Sequence, residues 1–211
     1  MPEITAIKPQ KRDPERVSID LDGAFALGIT RDLLHEFDLH VGTILSEDDL
    51  CKLQGAERRT KAYQGALAFL AYRERSVKEV RDWCWRKDYG DLADGIINDL
   101  ISRDYLSNER FATLFAREKS RLQNWGPGRL RSELIKKGIA SDLIAEVLDE
   151  LDESVDFAAG ARELIQKRYD RLKRPNLKDK KRFWAFLQRK GFKTSTIRNV
   201  LDAYEFTADS D

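Results

Sequence analysis

Gly128-Arg-Leu-Arg-Ser-Glu-Leu-Ile-Lys-Lys-Gly-Ile139 decides the fold, because the chain carries two further versions of this stretch. Shifted back by 50 residues, Val80, Cys84, Arg86, Lys87, Tyr89, Ile97 and Ile101 fall under Leu130, Leu134, Lys136, Lys137, Ile139, Val147 and Leu151. Shifted forward by 53, the same columns hold Phe183, Leu187, Arg189, Lys190, Phe192, Val200 and Tyr204. Apolar residues four apart followed by a basic pair predict a helix with cations in its last turn. Gly138 and Gly191 come next, where a left-handed residue closes a helix and glycine supplies it without strain. A second helix follows. Ser141 and Ser195 are its expected N-caps, and Ile144, Val147, Leu148, Leu151 or Ile197, Val200, Leu201, Tyr204 its buried face. Such a unit cannot cover its own apolar side, so repeats of about 50 residues are expected to stack in a row.

Working outward, each repeat gains a helix in front. Ala62, Gly65, Ala66, Phe69 and Leu70 mark one ending at Arg73, and the Ser76-x-x-Glu79 capping box opens the next at Val77; a helix over Asp91 to Arg103 completes repeat one. Ser107 caps Asn108 to Leu122, and Asn124-Trp-Gly-Pro-Gly128 breaks the chain. Ser154 is the expected start of a helix to Tyr169; Asp170 to Lys178 reads as a loop, and helices over Asp179 to Lys190 and Ser195 to Phe206 follow. The N-terminal part reads differently. Ile4 to Ile7 predicts a strand, and Val17, Ile19, Leu21 and Phe25, Leu27, Ile29 alternate around Asp22-Gly23, a type I′ hairpin turn. Thr30 caps a short helix to Phe37, and Ser46 with Asp49 opens another over Glu47 to Leu53. The expected organisation is mainly α, with a β-rich module over 1–55, then helical repeats over 56–106, 107–153 and 154–211.

Of the 211 residues 36% are charged, well above the usual quarter, which predicts an elongated molecule with much surface. No apolar run approaches a membrane span and no signal-peptide core is present, so the expectation is a cytoplasmic protein. Cys51 and Cys84 lack metal-ligand spacing, and Cys84 falls in an apolar column, so both read as reduced thiols. Two histidines, His35 and His40, cannot build a zinc site or a catalytic constellation with what surrounds them. No phosphate loop, G-x-S-x-G or H-E-x-x-H motif occurs, and the acidic pairs lie on helix surfaces. Neither a metal, a cofactor nor a catalytic set is expected.

Net charge is +1, yet charge is segregated. Residues 161–198 hold 14 lysines and arginines against Glu163, Asp170 and Asp179, whereas 141–156 hold seven acids and no cation. Such segregation creates a field that steers a partner. The candidate surface for an acidic partner comprises Arg129, Arg131, Lys136 and Lys137 in repeat two. In repeat three it comprises Lys167, Arg168, Arg171, Lys173, Arg174, Lys178, Lys180, Lys181, Arg182, Arg189 and Lys190. The recurring pairs Arg86-Lys87, Lys136-Lys137 and Arg189-Lys190 also have a plain reading, since the helix dipole favours last-turn cations by about 0.3–1 kcal/mol with no ligand at all. Trp125 is expected to plug its loop, and Trp83, Trp85 and Trp184 to sit in the core.

These residues resemble the RecX family, bacterial modulators of the RecA recombinase. The resemblance rests on Arg73-Glu-Arg-Ser76 with Glu79-Val80, on Phe111-Ala112, and above all on the segment from Gly128 to Ile139; the hairpin from Arg16 to Ile29 resembles the N-terminal extension of longer members. Departures are Ser107-Asn108-Glu109-Arg110 where two acids are usual before Phe-Ala, and Lys87-Asp88-Tyr89 where a Lys-Gly pair is usual. The resemblance implies three tandem three-helix repeats in a curved rod. It further implies a regulator that lies in the groove of the RecA–DNA filament and restrains recombinase and ATPase activity; the high surface charge makes a monomer the expectation, and the lack of a catalytic set a non-enzymatic protein. RecA is the implied partner, with single- or double-stranded DNA beside it and no membrane. The residues alone keep open a rival: a stand-alone DNA-binding protein built of helix-turn-helix-like units.

Overall fold

The computed structural model describes residues 1–208. The chain begins with β1 (Ile4–Pro9), β2 (Arg16–Leu21) and β3 (Ala24–Thr30), an antiparallel sheet in sequence order. Asp22 and Gly23 both take positive φ, 50° and 84°, as the type I′ turn requires. Val17 pairs with Ile29 and Ile19 with Leu27. Ile4, Val17, Ile19 and Ile29 are buried beneath α1 (Arg31–Glu36), whose N-cap is Thr30, and against Leu53 of α2 (Glu47–Ala71). The apolar connector over residues 39–45 runs along β1, with the Ile4 amide donating to Thr43 at 2.9 Å.

Ser46 and Asp49 exchange the capping-box hydrogen bonds at the start of α2. The expected stop at Leu53 and the module boundary at 54–59 do not appear. α2 continues for 25 residues, because Gln54 to Arg59 are good helix formers apart from Gly55. Leu53 and Glu57 are buried on that same turn, Glu57 held by Arg16 of β2.

The remaining helices are α3 (Val77–Arg86), α4 (Ala93–Ser102) after a 3-10 turn at Gly90–Leu92, α5 (Asn108–Gln123), α6 (Pro127–Lys136), α7 (Ser141–Ser154), α8 (Phe157–Tyr169), α9 (Leu177–Arg189) and α10 (Thr194–Leu201). The period seen in the sequence is real in the backbone. α5 and α6 pack on α7, and α8 and α9 pack on α10. Leu130, Leu134, Ile144, Val147, Leu151 and their counterparts Phe183, Leu187, Ile197, Val200 share one buried cluster. Gly138 and Gly191 are left-handed at φ 77° and 88°; in repeat one Asp88 takes that position at φ 62°, a conformation aspartate tolerates better than most side chains.

Several caps differ from expectation. α7 starts one residue and α10 two residues ahead of the expected cap, with Ala140 and Lys193 as N-caps and no side-chain cap, so Ser141 and Ser195 lie inside their helices. Ser154 ends α7 rather than starting α8, whose N-cap is Asp156. α9 starts at Leu177 behind an Asn176–Asp179 capping box, and α10 ends at Leu201. Trp85, expected in the core, is 67% exposed: it follows Cys84 by one residue, which turns it about 100° away from the Val80–Cys84 stripe. Ile101 likewise leaves its column and is exposed.

By backbone proximity the chain divides into two compact units. One comprises residues 1–69 and 84–96, the other residues 70–83 and 97–208. Among the described residues no helix is long and apolar enough to cross a membrane.

Candidate functional site

The cations of α9 divide by direction. Asp179, Phe183 and Leu187 face the core; at 100° per residue Lys178, Lys181, Arg182 and Arg189 therefore share the opposite stripe, about 17 Å long. Lys178, Lys181 and Arg189 are exposed and make no ion pair among the described residues, and Arg182 reaches Asp179 at 3.3 Å. Lys180 points elsewhere, to Asp202 at 2.9 Å and towards the Phe206 ring. In front of α9, the connector places Arg171, Lys173 and Arg174 in solvent, again without ion pairs. The C-terminal segment holds that connector: Thr207 donates its amide to Pro175 at 2.9 Å, and Phe206 packs edge-on against Tyr169 and Phe183. Lys167 is taken by Glu163 at 2.7 Å.

In repeats two and three the first members of the basic pairs, Lys136 and Arg189, are exposed, but the second members, Lys137 and Lys190, reach back to the preceding repeat. Lys137 meets Glu79 at 2.7 Å, 58 residues away, while Gly138 sits against Lys78 in the first turn of α3. At the next joint Lys190 donates to the Gln123 carbonyl at 2.9 Å. There the amides of Gly126 and Gly128 donate to the carbonyls of Lys190 and Gly191 at 2.8 and 2.9 Å. A Cβ on Gly126 would lie 2.5 Å from the Gly191 carbonyl, and one on Gly191 would lie 2.1 Å from the Arg129 amide. Glycine is needed on both sides for the helix ends to meet.

Glu79 is the centre of the first joint. Burial works to raise its carboxyl, but hydrogen bonds from Arg73, Lys137 and the Ser76 amide prevail and hold it at about 2. Among the described residues no carboxylate pairs with Arg129 or Lys190 at the second joint. Arg129 lies 4.2 Å over the Trp125 ring and Arg168 3.8 Å over Phe186; Trp125 packs edge-on against Phe115, plugging its loop as expected. Lys136 is held by Glu133 at 2.8 Å, and Arg131 is exposed without an ion pair. Sequence reasoning missed Glu79 as a joint residue and Phe186 as the shelf under Arg168. The signal was available in the repeat columns, where Glu79 aligns with Arg129.

Cys84 is buried and Cys51 exposed, and neither forms a disulfide. Among the described residues no three His, Cys, Asp or Glu side chains gather as metal ligands.

Three family models match the chain: the regulatory protein RecX N-terminal domain over residues 2–46, the RecX second three-helix domain over 107–148, and the RecX third three-helix domain over 156–201. The chain is 35% identical to the regulatory protein RecX of Bacillus velezensis, covering 100% of this chain and 81% of that protein. It is 34% identical to that of Bacillus subtilis, covering 100% and 80%. Among solved structures, a regulatory protein RecX aligns with a TM-score of 0.76 at 27% identity over 96% of this chain and all of that one. RecX from Lactobacillus salivarius aligns with a TM-score of 0.61 at 26% identity, covering 70% and 97%.

Proposed function

The chain belongs to the RecX family of regulatory proteins, and from that premise we propose that it regulates the RecA–DNA filament without catalysing a reaction of its own. The protein acts in the cytoplasm as a monomer, in homologous recombination and the SOS response, by seating repeats two and three in the filament groove. There it restrains strand exchange and ATP hydrolysis by bridging neighbouring protomers. One observation carries the reading: Lys178, Lys181 and Arg189 share a helix stripe of α9 and have no carboxylate partner in the described structure. Cations left unpaired on one stripe lose little water on meeting an acidic polymer and gain its field. Attraction of this kind weakens as salt rises, because counterions screen it and are released on binding.

The test is Lys178→Glu with Lys181→Glu, two exposed positions that hold nothing in the fold. Inhibition of RecA ATP hydrolysis should fall at least about tenfold in potency, with the far-ultraviolet circular dichroism unchanged. Inhibition equal to wild type would remove this stripe from the binding surface.

A further inference from the structure

The two repeat joints use corresponding positions but differ in charge. Glu79 and Lys137 meet across the first joint at 2.7 Å. Their counterparts 50 and 53 residues on are Arg129 and Lys190, so the position that supplies a carboxylate in one joint supplies a guanidinium in the other. Arg168 brings a third positive charge from α8, and its guanidinium shares the Phe186 ring with the Lys190 ammonium, at 3.8 and 6.0 Å from the ring centre. Burial, then Arg129, then Arg168 push the Lys190 ammonium below its ordinary range. The nearby carboxylates have cations of their own: Glu133, which lines the same groove as Arg129, pairs with Lys136 at 2.8 Å, and Glu163 with Lys167 at 2.7 Å. Nor can the backbone move apart to relieve the repulsion without breaking the hydrogen bonds that Gly126 and Gly128 make to Lys190 and Gly191.

We propose that Arg129, Arg168 and Lys190 form a phosphate-binding site at the joint between repeats two and three, which takes a phosphodiester group of a nucleic-acid strand and fastens those repeats as Glu79 fastens repeats one and two. Arginine forks with a lysine point charge suit phosphate oxygens. Arg189, which lines an open groove of about 670 Å³ together with Arg129, has no ion pair and can meet the next phosphate of the same strand. The proposal rests on the filament reading only for the source of the strand.

Two measurements on the full chain without any partner test it. The first is thermal unfolding in sodium phosphate against sodium chloride at matched ionic strength. The second is fluorescence anisotropy with a fluorescein-labelled oligothymidylate. For the wild type, phosphate should raise Tm and the oligonucleotide should bind. Arg129→Glu recreates the Glu79–Lys137 arrangement. It should raise Tm in chloride, abolish the response to phosphate and weaken oligonucleotide binding at least about tenfold, the loss expected for a charged hydrogen-bonding contact. Arg168→Gln should lower both responses without reversing a charge, which keeps the test open if Arg129→Glu does not fold. Insensitivity of the wild type to either probe overturns the proposal, as does oligonucleotide binding unchanged in both variants. Competition by poly-glutamate as strong as by unlabelled oligonucleotide overturns the nucleic-acid assignment in favour of a carboxylate-bearing partner. None of these residues is altered in the ATPase test of Lys178 and Lys181, so the two readings can fail separately.

Discussion

Glu79 shows how one residue serves at two levels. It closes the capping box of α3 and, through Lys137, pins repeat two to repeat one. Its folded carboxyl is held at about 2, below the roughly 4.3 of an unfolded glutamate. A depressed carboxyl contributes stability that is fully present above the unfolded value and is lost as pH falls through the folded one. The wild type's resistance to urea should therefore fall progressively between about pH 4.5 and pH 2. Glu79→Gln should unfold about 1–3 kcal/mol more easily at pH 7 and show a flatter acid dependence; equal acid slopes in the two proteins would mean that Glu79 does not report on the joint. The capping box was legible from Ser76-x-x-Glu79. The partner was not, because a contact 58 residues away leaves no local pattern.

At the scale of elements, the glycines at the two joints should differ in what they tolerate. Gly191→Ala combines φ 88° with a Cβ 2.1 Å from the Arg129 amide. Backbone cannot yield as a side chain can, so the expected loss is at least about 2 kcal/mol. Gly138→Ala, at φ 77°, meets Lys78 Cβ at 2.9 Å, an approach that a shift of a few tenths of an ångström in the first turn of α3 relieves, so the loss is mainly the left-handed cost of about 1–2 kcal/mol. Chemical denaturation of the two variants orders them; an inverted order would refute the end-to-end account of the second joint. Helix starts were legible where a hydroxyl or carboxylate does the capping, as at Thr30, Ser46, Ser76 and Ser107. They were misplaced at Ser141 and Ser195, where the backbone alone enters the helix from Ala140 and Lys193 and a nearby serine offered a false marker. Asn176 went unnoticed because the surrounding basic run drew the reading towards a loop.

For the whole molecule, the periodicity of apolar columns was enough to recover the three-helix units, because burial repeats wherever stacking repeats, and the alternation around Asp22-Gly23 was enough for the sheet in front of them. Of the proposed surface, the sequence could count cations but not aim them. Lys137, Lys180 and Lys190 turn inward to the protein itself, whereas Lys178, Lys181 and Arg189 face solvent, a division that depends on which carboxylates and carbonyls the packing brings near. The boundary near residue 55 failed for a related reason, since a shift in composition is no bar to a helix whose next turn is buried. α2 runs unbroken for 25 residues, about 37 Å, and its Leu53 completes the core under the sheet while Glu57 grips Arg16. A chain lacking residues 1–55 should accordingly lose helical signal and melt at lower temperature, as circular dichroism would record; a melting curve like that of the intact protein would show the sheet to be dispensable to the helix. Chimaeras between relatives must then exchange the sheet and this helix as one cassette, since any crossover point placed between them joins half of one protein's interior to half of another's.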